Sequence, residues 1–416
     1  MSDRRVTTAA GGVAPAWLLA SSPYNNAPVV SRSWHLPDVV ILNDCTLREG
    51  EQSALVNFSA DDKLVLARDL ADLGVSQIQT GYPGTSLLDR EVLRRIRQEF
   101  PVLPLEGVLL AYRSSWQEEL ERFAESRPDF VNIVVATSDH RLRHVFHVDR
   151  AAVLRRVRDT VRHARGLGLR VAFSPADGTR TQWTFLRRVF HEAIEAGAER
   201  IYIADTAGAC TPRGIGHLVG LVRRSFPVSL GVHCHNDFGL ALANTLAAFE
   251  QGAQVLDVSI NGVGDRAGNA AVDEVAVAVT VLYGRPAPVS LEKLARVAER
   301  FAVDSGVPLG AIKPLVGANA YAYKLDSHVQ AVLTHAPTFE VMPPETVGNR
   351  RRFVLGRYAG PNTVNAKLAE LGLTVLPERL PDFVRRIEEL TLTTRRPPSD
   401  DEIRRIVIDL RTVSGN

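Results

Sequence analysis

Short apolar runs rich in Val and Ile alternate along the chain with amphipathic stretches whose apolar positions recur at the helical period. The runs are Val39–Asn43, Val75–Thr80, Leu105–Leu110, Phe130–Ala136, Leu169–Ser174, Arg200–Ala204, Val228–His233 and Val255–Ile260. The stretches between them include Asp61–Leu73, Leu87–Glu99, Arg150–Leu167, Trp183–Ala196, Pro212–Phe226 and Leu240–Gln251. Glycines that close four of these stretches, as helix ends often require, are Gly74, Gly168, Gly197 and Gly252. Eight strand–helix units predict an α/β fold in which a parallel sheet closes as a (β/α)8 TIM barrel.

A doubly wound open sheet is the structural alternative. Such a sheet usually carries a Gly-rich phosphate-binding loop directly after its first strand. Here the first run is followed by Asp44-Cys45-Thr46-Leu47-Arg48. This segment is no such loop, so the barrel is favoured.

The strand–helix pattern ends near Gly284, which divides the chain into predicted domains. Residues 38–285 form the barrel, and residues 286–361 form a helical subdomain that starts with a linker at Pro286 and Pro288 and contains helices at Leu291–Ser305 and Gly317–Val332. Residues 362–416 form a second small helical subdomain with at least two amphipathic helices. Residues 1–37, rich in Ala, Gly, Ser and Pro, are expected to be a flexible N-terminal arm.

Composition narrows the choice of partners and compartment. Lys plus Arg number 49 and Asp plus Glu 47, and this near-balance favours neither nucleic acid nor an acidic membrane as partner. No apolar stretch approaches the length of a membrane span. Three cysteines without metal-ligand spacing indicate a reducing compartment rather than a disulfide framework. Arg4-Arg5 and the patch Ala14–Ala20 are elements of a twin-arginine signal, but the patch is short and lacks a clean cleavage site, so we predict a cytoplasmic protein.

Polar clusters follow several of the predicted strands. They occupy residues 43–52 after the first strand, 205–208 after the sixth, 233–237 after the seventh and 261–269 after the eighth. The carboxyl ends of barrel strands share one face, where active sites of such folds lie. These clusters are therefore expected to meet at one rim.

His233 and His235 are two residues apart on an extended segment, so their imidazoles point to the same face. Two imidazoles and a carboxylate from another strand make a ligand set for a divalent metal. Glu49 is placed to supply the carboxylate, and Arg48 offers a planar fork to a substrate carboxylate or a developing oxyanion. The plainer alternatives are one ordinary buried histidine beside an accidental one, and a surface Arg–Glu ion pair. Position at a strand end, inside a polar loop, favours the metal.

Three of these segments resemble the signatures of one enzyme family. Asp44–Gln52, DCTLREGEQ, His233–Gly239, HCHNDFG, and Asn261–Asn269, NGVGDRAGN, are similar to motifs of the 2-isopropylmalate, citramalate and homocitrate synthases. Glu49 after the arginine makes the first motif closer to homocitrate synthase. The 3-hydroxy-3-methylglutaryl-CoA lyases share the metal plan and weaker versions of the motifs. The resemblance covers about residues 38–360.

The resemblance implies a metal-dependent condensation of an acyl-CoA with a 2-oxo acid that releases free CoA. The metal, which is Mn, Mg, Zn or Co, polarises the carbonyl as a Lewis acid. The resemblance implies that Glu49, His233 and His235 bind the metal, with Asn269 as a weaker ligand. It implies that Arg48 stabilises the enolate or the 2-oxo acid. Gln52 and Thr206 are implied to contact the 2-oxo acid. Further candidates for substrate binding are Asp44, Gln79 and Asn236. His328, otherwise an ordinary helix residue, matches an acid–base histidine often lent to the neighbouring subunit, which implies a homodimer.

Four positions depart from the family pattern. Gln79 and Ala176 replace glutamates, Phe339 replaces a tyrosine, and His140 or Arg141 takes the place of a histidine after Thr137-Ser138-Asp139. Three of these changes remove a proton-transfer group or a charge. One hypothesis is that the nucleophile has changed, to a malonyl-type thioester or an activated pyruvate analogue that needs less base. The alternative is that Asp177, His328 or a water replaces the lost groups and acetyl-CoA is still used.

Chain length and the motifs also bear on regulation and on the class of reaction. Residues beyond 355 are too few for the roughly 100 residues of a compact regulatory domain, so feedback control of the leucine type is not expected. Two competing functions are a lyase that cleaves a 3-hydroxyacyl-CoA and a catalytically weakened paralogue that binds a ligand. The synthase-like motifs argue against the lyase, and the complete metal set argues against the paralogue.

Overall fold

The structure of the protein, a computed structural model, describes residues 21–412. Eight parallel strands form a closed barrel in chain order, with β1 pairing β8. The strands are β1 Ile41–Asp44, β2 Gln77–Gln79, β3 Leu105–Leu110, β4 Phe130–Ala136, β5 Val171–Ala176, β6 Arg200–Asp205, β7 Ser229–Cys234 and β8 Val255–Val258. The predicted barrel is confirmed, and β3 and β4 have the predicted bounds.

Helices precede, connect and follow the eight barrel strands. They are α1 Pro28–Ser31, α2 Ala60–Leu73, α3 Leu87–Glu99, α4 Trp116–Glu125, α5 Asp139–Arg141, α6 Arg150–Gly166, α7 Trp183–Glu195, α8 Pro212–Ser225, α9 Ala241–Glu250, α10 Val272–Val277 and α11 Leu294–Ser305. Ser59 and Asp62 form a capping box that starts α2. The four predicted closing glycines have φ between 79° and 112°, as the left-handed residue after a helix requires.

Part of the predicted N-terminal arm packs on the barrel. The His35 amide donates to the Glu250 carbonyl over 2.7 Å, and the Trp34 ring lies 5.1 Å from that of Tyr283. Residues 33–35 therefore differ from the flexible arm that their composition predicted, because Trp34 has an aromatic partner to pack on. Residues 1–20 of that arm lie outside the described part of the chain.

The chain divides into two compact units, Ser22–Leu309 and a second that begins at Gly310. The first unit extends beyond the predicted barrel boundary at 285 because α11 packs on α2. There Arg300 contacts Asp69 at 2.9 Å and Lys293, just before α11, contacts Asp72 at 2.6 Å.

The second unit is built from helices and a short parallel pair. Its elements are β9 Ala322–Tyr323, α12 Asp326–Thr334, β10 Arg352–Phe353, α13 Pro361–Glu370, α14 Leu380–Thr394 and α15 Asp400–Thr412. The helix predicted at Gly317–Val332 is wrong in its first half. There the Asn349 amide donates to the carbonyls of Leu315 and Gly317, and β9 pairs with β10. The predicted boundary at 361/362 stays a prediction.

Within residues 21–412, none of the helices is both long and apolar enough to cross a bilayer.

Candidate active site

A cavity of about 310 Å³ opens at the carboxyl ends of the barrel strands. Residues predicted for the site that line it are Arg48, Glu49, Gln52, Thr206, His233 and His235. Tyr82, Tyr112, Arg141, Asp257 and Asp265 also line it. The loops after β1, β6, β7 and β8 therefore meet at one rim, as the sequence predicts.

Glu49, His233 and His235 converge deep in this cavity. Their ligand atoms all lie within 4.8 Å of one another, and all three residues are buried. The two histidine Nε2 atoms are 3.3 Å apart, and Glu49 Oε1 lies 3.6 Å from His235 Nε2. Glu49 Oε1 has no hydrogen-bond partner within the described residues. Three buried side chains that can each offer an electron pair toward the others, one of them a carboxylate oxygen without a hydrogen-bond partner, fit a divalent cation.

The ionisation of the cluster also suits a metal. Burial acts to raise the pKa of Glu49, but Arg48 and the two histidines bring that pKa down to about 2. Burial, followed by the neighbouring His233, lowers the pKa of His235 to about 3. At neutral pH the carboxylate is therefore ionised and the imidazole of His235 is neutral, which are the forms that bind metals.

Asp257 on β8 orients His233. Its Oδ2 lies 3.0 Å from His233 Nδ1, and its Oδ1 accepts from Asn43 Nδ2 over 2.8 Å. Because the carboxylate can only accept, Nδ1 carries the proton and Nε2 turns its lone pair toward Glu49 and His235. The sequence analysis missed Asp257. An acidic residue inside the apolar run Val255–Ile260 was the signal that could have found it.

A second group of possible ligands is made of Cys45, His233 and Asp257. In this group the Cys45 thiol donates to the Asn43 carbonyl, and burial, ahead of the charge of Asp257, raises the pKa of that thiol well above its usual range. His233 Nδ1 already bonds Asp257. The Glu49 group is therefore the better candidate for a metal.

Asn269 completes this side of the cluster. Its amide nitrogen lies 3.3 Å from His233 Nε2, whereas its Oδ1 is buried without a partner in the described chain. The amide can present either atom to this position, so Asn269 fits the predicted weaker ligand. A Cβ atom added at Gly264 would lie 2.4 Å from Asn269 Oδ1 and 3.1 Å from Glu49 Cγ.

Gly264→Ala is expected to weaken metal binding by about 10–100-fold, the range seen when groups that position ligands are disturbed. The added methyl displaces Asn269 and Glu49, which calorimetric titration with Zn²⁺ or Mn²⁺ measures. Gly166→Ala is the matched control, since its Cβ would meet no atom within 4 Å. Wild-type affinity in the Gly264 variant would show that these two side chains do not hold the metal.

Arg48 is fixed by hydrogen bonds to three neighbouring polar side chains. Its Nε donates to Gln79 Oε1 over 2.5 Å, and its Nη1 bonds the Glu49 carboxylate and Gln52 Oε1. Gln79 Nε2 in turn donates to Glu106 Oε1 over 2.5 Å. Gln79, predicted to bind substrate, therefore lies behind Arg48 and outside the cavity lining.

Glu106 on β3 is the buried carboxylate that accepts from Gln79. Besides Gln79, it accepts from Gln77 Nε2 at 3.0 Å and Asn132 Nδ2 at 3.2 Å, and Arg200 lies 3.8 Å away. Burial raises its pKa, with the charge of Asp257 adding to the effect. The sequence analysis missed Glu106 as well, although it too is an acid inside a predicted apolar strand.

Asp177, a predicted catalytic residue, is committed to structural contacts. Its carboxylate accepts two bonds from Arg180, at 2.7 and 2.8 Å, and one from the Ser138 hydroxyl. Its backbone amide donates to Thr206 Oγ1. Asp177 does not line the cavity, and its contacts position Ser138 and Thr206. Its proton-transfer role stays a prediction.

Two other candidates also lie outside the cavity lining. Asn236 Oδ1 accepts the amide of Ala241 at the start of α9. Asp44 accepts the Thr46 amide over 2.8 Å and is fully buried. Their predicted substrate contacts have no support in this geometry and stay predictions.

Asp44→Asn is expected to make stability less sensitive to pH. Burial raises the pKa of Asp44 from 3.8 to about 7, so the folded state prefers the protonated form. Wild-type stability is then lost as pH rises from about 4 to about 7, by up to about 4 kcal/mol, whereas asparagine mimics the protonated acid. Urea unfolding at pH 5 and pH 8 should show the variant's advantage growing with pH; an equal difference at both values would refute this.

His328 belongs to the second unit, on α12. It is exposed, and its ring lies 4.4 Å from that of Phe339, the residue that replaces the expected tyrosine. Its predicted acid–base role in a neighbouring subunit stays a prediction.

Comparison with known proteins defines the class. The family profile described as HMGL-like matches residues 39–300, and a profile described as homocitrate synthase post-HMGL domain-like matches residues 315–395. The chain belongs to the HMGL-like family, which confirms the predicted resemblance.

Particular relatives narrow the class further. The chain is 40% identical over 369 residues to homocitrate synthase AksA of Methanopyrus kandleri, covering 89% of this chain and 91% of the relative. It is 33% identical over 380 residues to 2-isopropylmalate synthase of Methanocaldococcus jannaschii, covering 90% and 72%. These synthases confirm the prediction of an acyltransferase that forms a carbon–carbon bond.

A solved structure supports the fold alone. Hydroxymethylglutaryl-CoA lyase from Pseudomonas aeruginosa superposes with a TM-score of 0.57 at 23% identity, over 64% of this chain and 93% of that chain.

Proposed function

We propose that this protein condenses an acyl-CoA, acetyl-CoA or a related thioester, with a 2-oxo acid and releases CoA and a 2-hydroxy-2-alkyl dicarboxylic acid, or the corresponding tricarboxylic acid where the 2-oxo acid carries a second carboxylate. The observation that carries the proposal is the convergence of Glu49, His233 and His235 beside Arg48 in one cavity at the barrel rim. The names of the relatives support the reaction class, since homocitrate and 2-isopropylmalate are products of such condensations.

Four residues would hold the divalent cation: Glu49, His233, His235 and, more weakly, Asn269. When bound there, the cation supplies Lewis acidity that polarises the carbonyl of the 2-oxo acid. Asp257 keeps His233 in the tautomer that leaves Nε2 free. The donor set suits Mn, Mg, Zn or Co.

Arg48 holds the reacting groups. Its guanidinium lies against Glu49 and faces the cavity, where it would pair with the substrate carboxylate or with the enolate oxygen of the thioester. Gln52 and Thr206 line the same cavity and would orient the 2-oxo acid. The Tyr82 hydroxyl donates to Gln52 Oε1 over 2.7 Å, so the Gln52 amide nitrogen is the group left for substrate.

Proton transfer rests on fewer groups than in the family pattern. Ala176 lines the cavity where the family has a glutamate, and Glu49 and Asp257 are committed to the metal cluster. His328, supplied within a homodimer, is the side chain we propose for acid–base work. A thioester already primed for enolate formation would need less acid–base catalysis.

We also propose a cytoplasmic location.

The test is thiol release from a panel of acyl-CoAs against a panel of 2-oxo acids, with Mn²⁺, Mg²⁺ or Zn²⁺ added to metal-stripped protein. Release that requires both substrates and the metal is expected. Comparing acetyl-CoA with malonyl-CoA decides between an unchanged and a primed nucleophile. Thiol release from no pair, with cleavage of a 3-hydroxyacyl-CoA instead, would replace the synthase by the lyase.

A further inference from the structure

Two arginines line the active-site cavity, and only one is neutralised. Arg48 is bonded to Glu49, Gln79 and Gln52. Arg141 lines the same cavity and is partly buried, yet within residues 21–412 its guanidinium makes no ion pair or hydrogen bond. A partly buried cation without a counter-charge is costly, so this one suits an anion brought by a ligand.

Hydrogen bonds to neighbouring side chains fix the backbone at Arg141. The Arg141 amide donates to Ser138 Oγ over 3.3 Å, and the Ser138 hydroxyl donates to Asp177, which Arg180 clamps from the other side. A π-helical turn, Leu142–Phe146, follows directly. Such turns occur often at functional sites.

The structure also distinguishes Arg141 from its neighbour. His140 is exposed and its ring lies 5.8 Å from that of His144, away from the cavity lining. Of the two residues that the sequence left as alternatives for the displaced family histidine, Arg141 therefore occupies the cavity. A permanent cation stands where a neutral or switchable imidazole was expected.

The cavity walls restrict what can reach this cation. Val108, Leu110, Val134 and Ala136 give the cavity an apolar side. The polar lining residues nearby on these strands are already paired, since Ser174 Oγ donates to Asn132 Oδ1 over 2.7 Å. A volume of about 310 Å³ admits a small ligand with a short aliphatic segment.

We propose that Arg141 recognises a second acidic group on the 2-oxo acid, a carboxylate or phosphonate joined to the reacting carbonyl by a short aliphatic spacer. This inference rests on the proposed function and names the substrate class of its site. The first carboxylate faces Arg48, the spacer contacts the apolar side, and the second anion meets the planar fork of Arg141. Monoanionic 2-oxo acids with branched alkyl chains are then poor substrates.

The experiment is calorimetric binding of 2-oxo acids to the Mn²⁺-loaded protein without any thioester. The probes are 2-oxoglutarate, 3-phosphonopyruvate, the 5-methyl ester of 2-oxoglutarate, whose distal group is uncharged, and 2-oxoisovalerate. The wild type is expected to bind at least one dianion about 10–100-fold more tightly than the ester, the range for a hydrogen bond to a charged group. Arg141→Met removes this difference and Arg141→Lys restores part of it.

Arg143→Met is the matched control, because Arg143 is exposed on the same segment and does not line the cavity. It is expected to keep the wild-type preference. Equal discrimination in Arg141→Met and wild type, tighter binding of 2-oxoisovalerate, or no binding of any 2-oxo acid would each overturn the proposal.

Kinetic measurements distinguish this anion site from a CoA-phosphate site and from the proposed condensation. If Arg141→Met raises KM for acyl-CoA but not for the matching acyl-pantetheine, Arg141 serves the nucleotide phosphates and the proposal fails. Arg141-dependent binding of a dianion, without thiol release from any thioester, would remove the proposed function while keeping the anion site. Efficient thiol release with alkyl 2-oxo acids, unchanged in Arg141→Met, would keep the proposed function and remove the anion site.

Discussion

His235→Ala is expected to abolish both metal binding and turnover while leaving the barrel folded. The imidazole belongs to one of the three buried side chains proposed to hold the metal, whose candidate ligand atoms lie within 4.8 Å of one another. Loss of one ligand should weaken metal binding by at least about 100-fold, beyond the usual effect of a supporting residue. Lewis-acid stabilisation of several kcal/mol then disappears, so turnover falls by about 1,000-fold or more.

The controls separate chemistry from folding. His217→Ala removes an exposed histidine on α8 and should match the wild type in metal binding and thiol release. The metal-free His235 variant should unfold at nearly the wild-type denaturant concentration, because Nδ1 of this histidine is buried without a partner in the described chain. Metal-dependent turnover at the wild-type rate in His235→Ala would refute the metal site.

Gln79→Glu, which restores the family glutamate, is expected to damage this protein rather than improve it. Gln79 Nε2 lies 2.5 Å from Glu106 Oε1 inside the barrel. A glutamate there would bring two buried carboxylates together, and both cannot stay ionised at that separation. We expect the free energy of unfolding to fall by about 3–5 kcal/mol, the cost of an uncompensated buried charge.

Exchanging the two groups supplies the control. In Gln79→Glu/Glu106→Gln the carboxylate lies next to Arg48 and the amide donor lies behind it, so more than half of the lost stability should return. Denaturant unfolding of the wild type, both single variants and the double variant gives the coupling energy. A double variant no more stable than Gln79→Glu alone would show that Glu106 is required for Gln77 and Asn132 instead.

The fold was largely predictable because its signals are local. Alternation of apolar runs and amphipathic stretches predicted β3 and α3 with their observed bounds. The failure at Gly317–Val332 has a long-range cause, since Asn349 and β10 hold that segment out of a helix. The packing of Trp34 on the barrel was not predicted for the same reason, because its partner Tyr283 lies far along the chain.

In the site, too, residues in short local motifs were predictable, and residues defined by contacts between strands were not. Glu49, His233 and His235 were predictable because short motifs at strand ends carry them. Asp257 and Glu106 were not, because their partners lie on neighbouring strands and only the closed barrel brings them together. Asp177 matched a motif position, but Arg180 and Ser138 occupy its carboxylate, a contact that no motif reveals.

The most direct test of the central claim follows a labelled carbon into the product. Metal-stripped protein is given acetyl-CoA labelled with ¹³C in the acetyl group and the preferred 2-oxo acid, with and without Zn²⁺, and the products are analysed by mass spectrometry. Our account predicts a labelled 2-hydroxy acid that carries one carboxylate more than the 2-oxo acid, formed in equal amount to free CoA, only with metal and not in His235→Ala. Label recovered as free acetate, with CoA released but no new carbon–carbon bond, would contradict it.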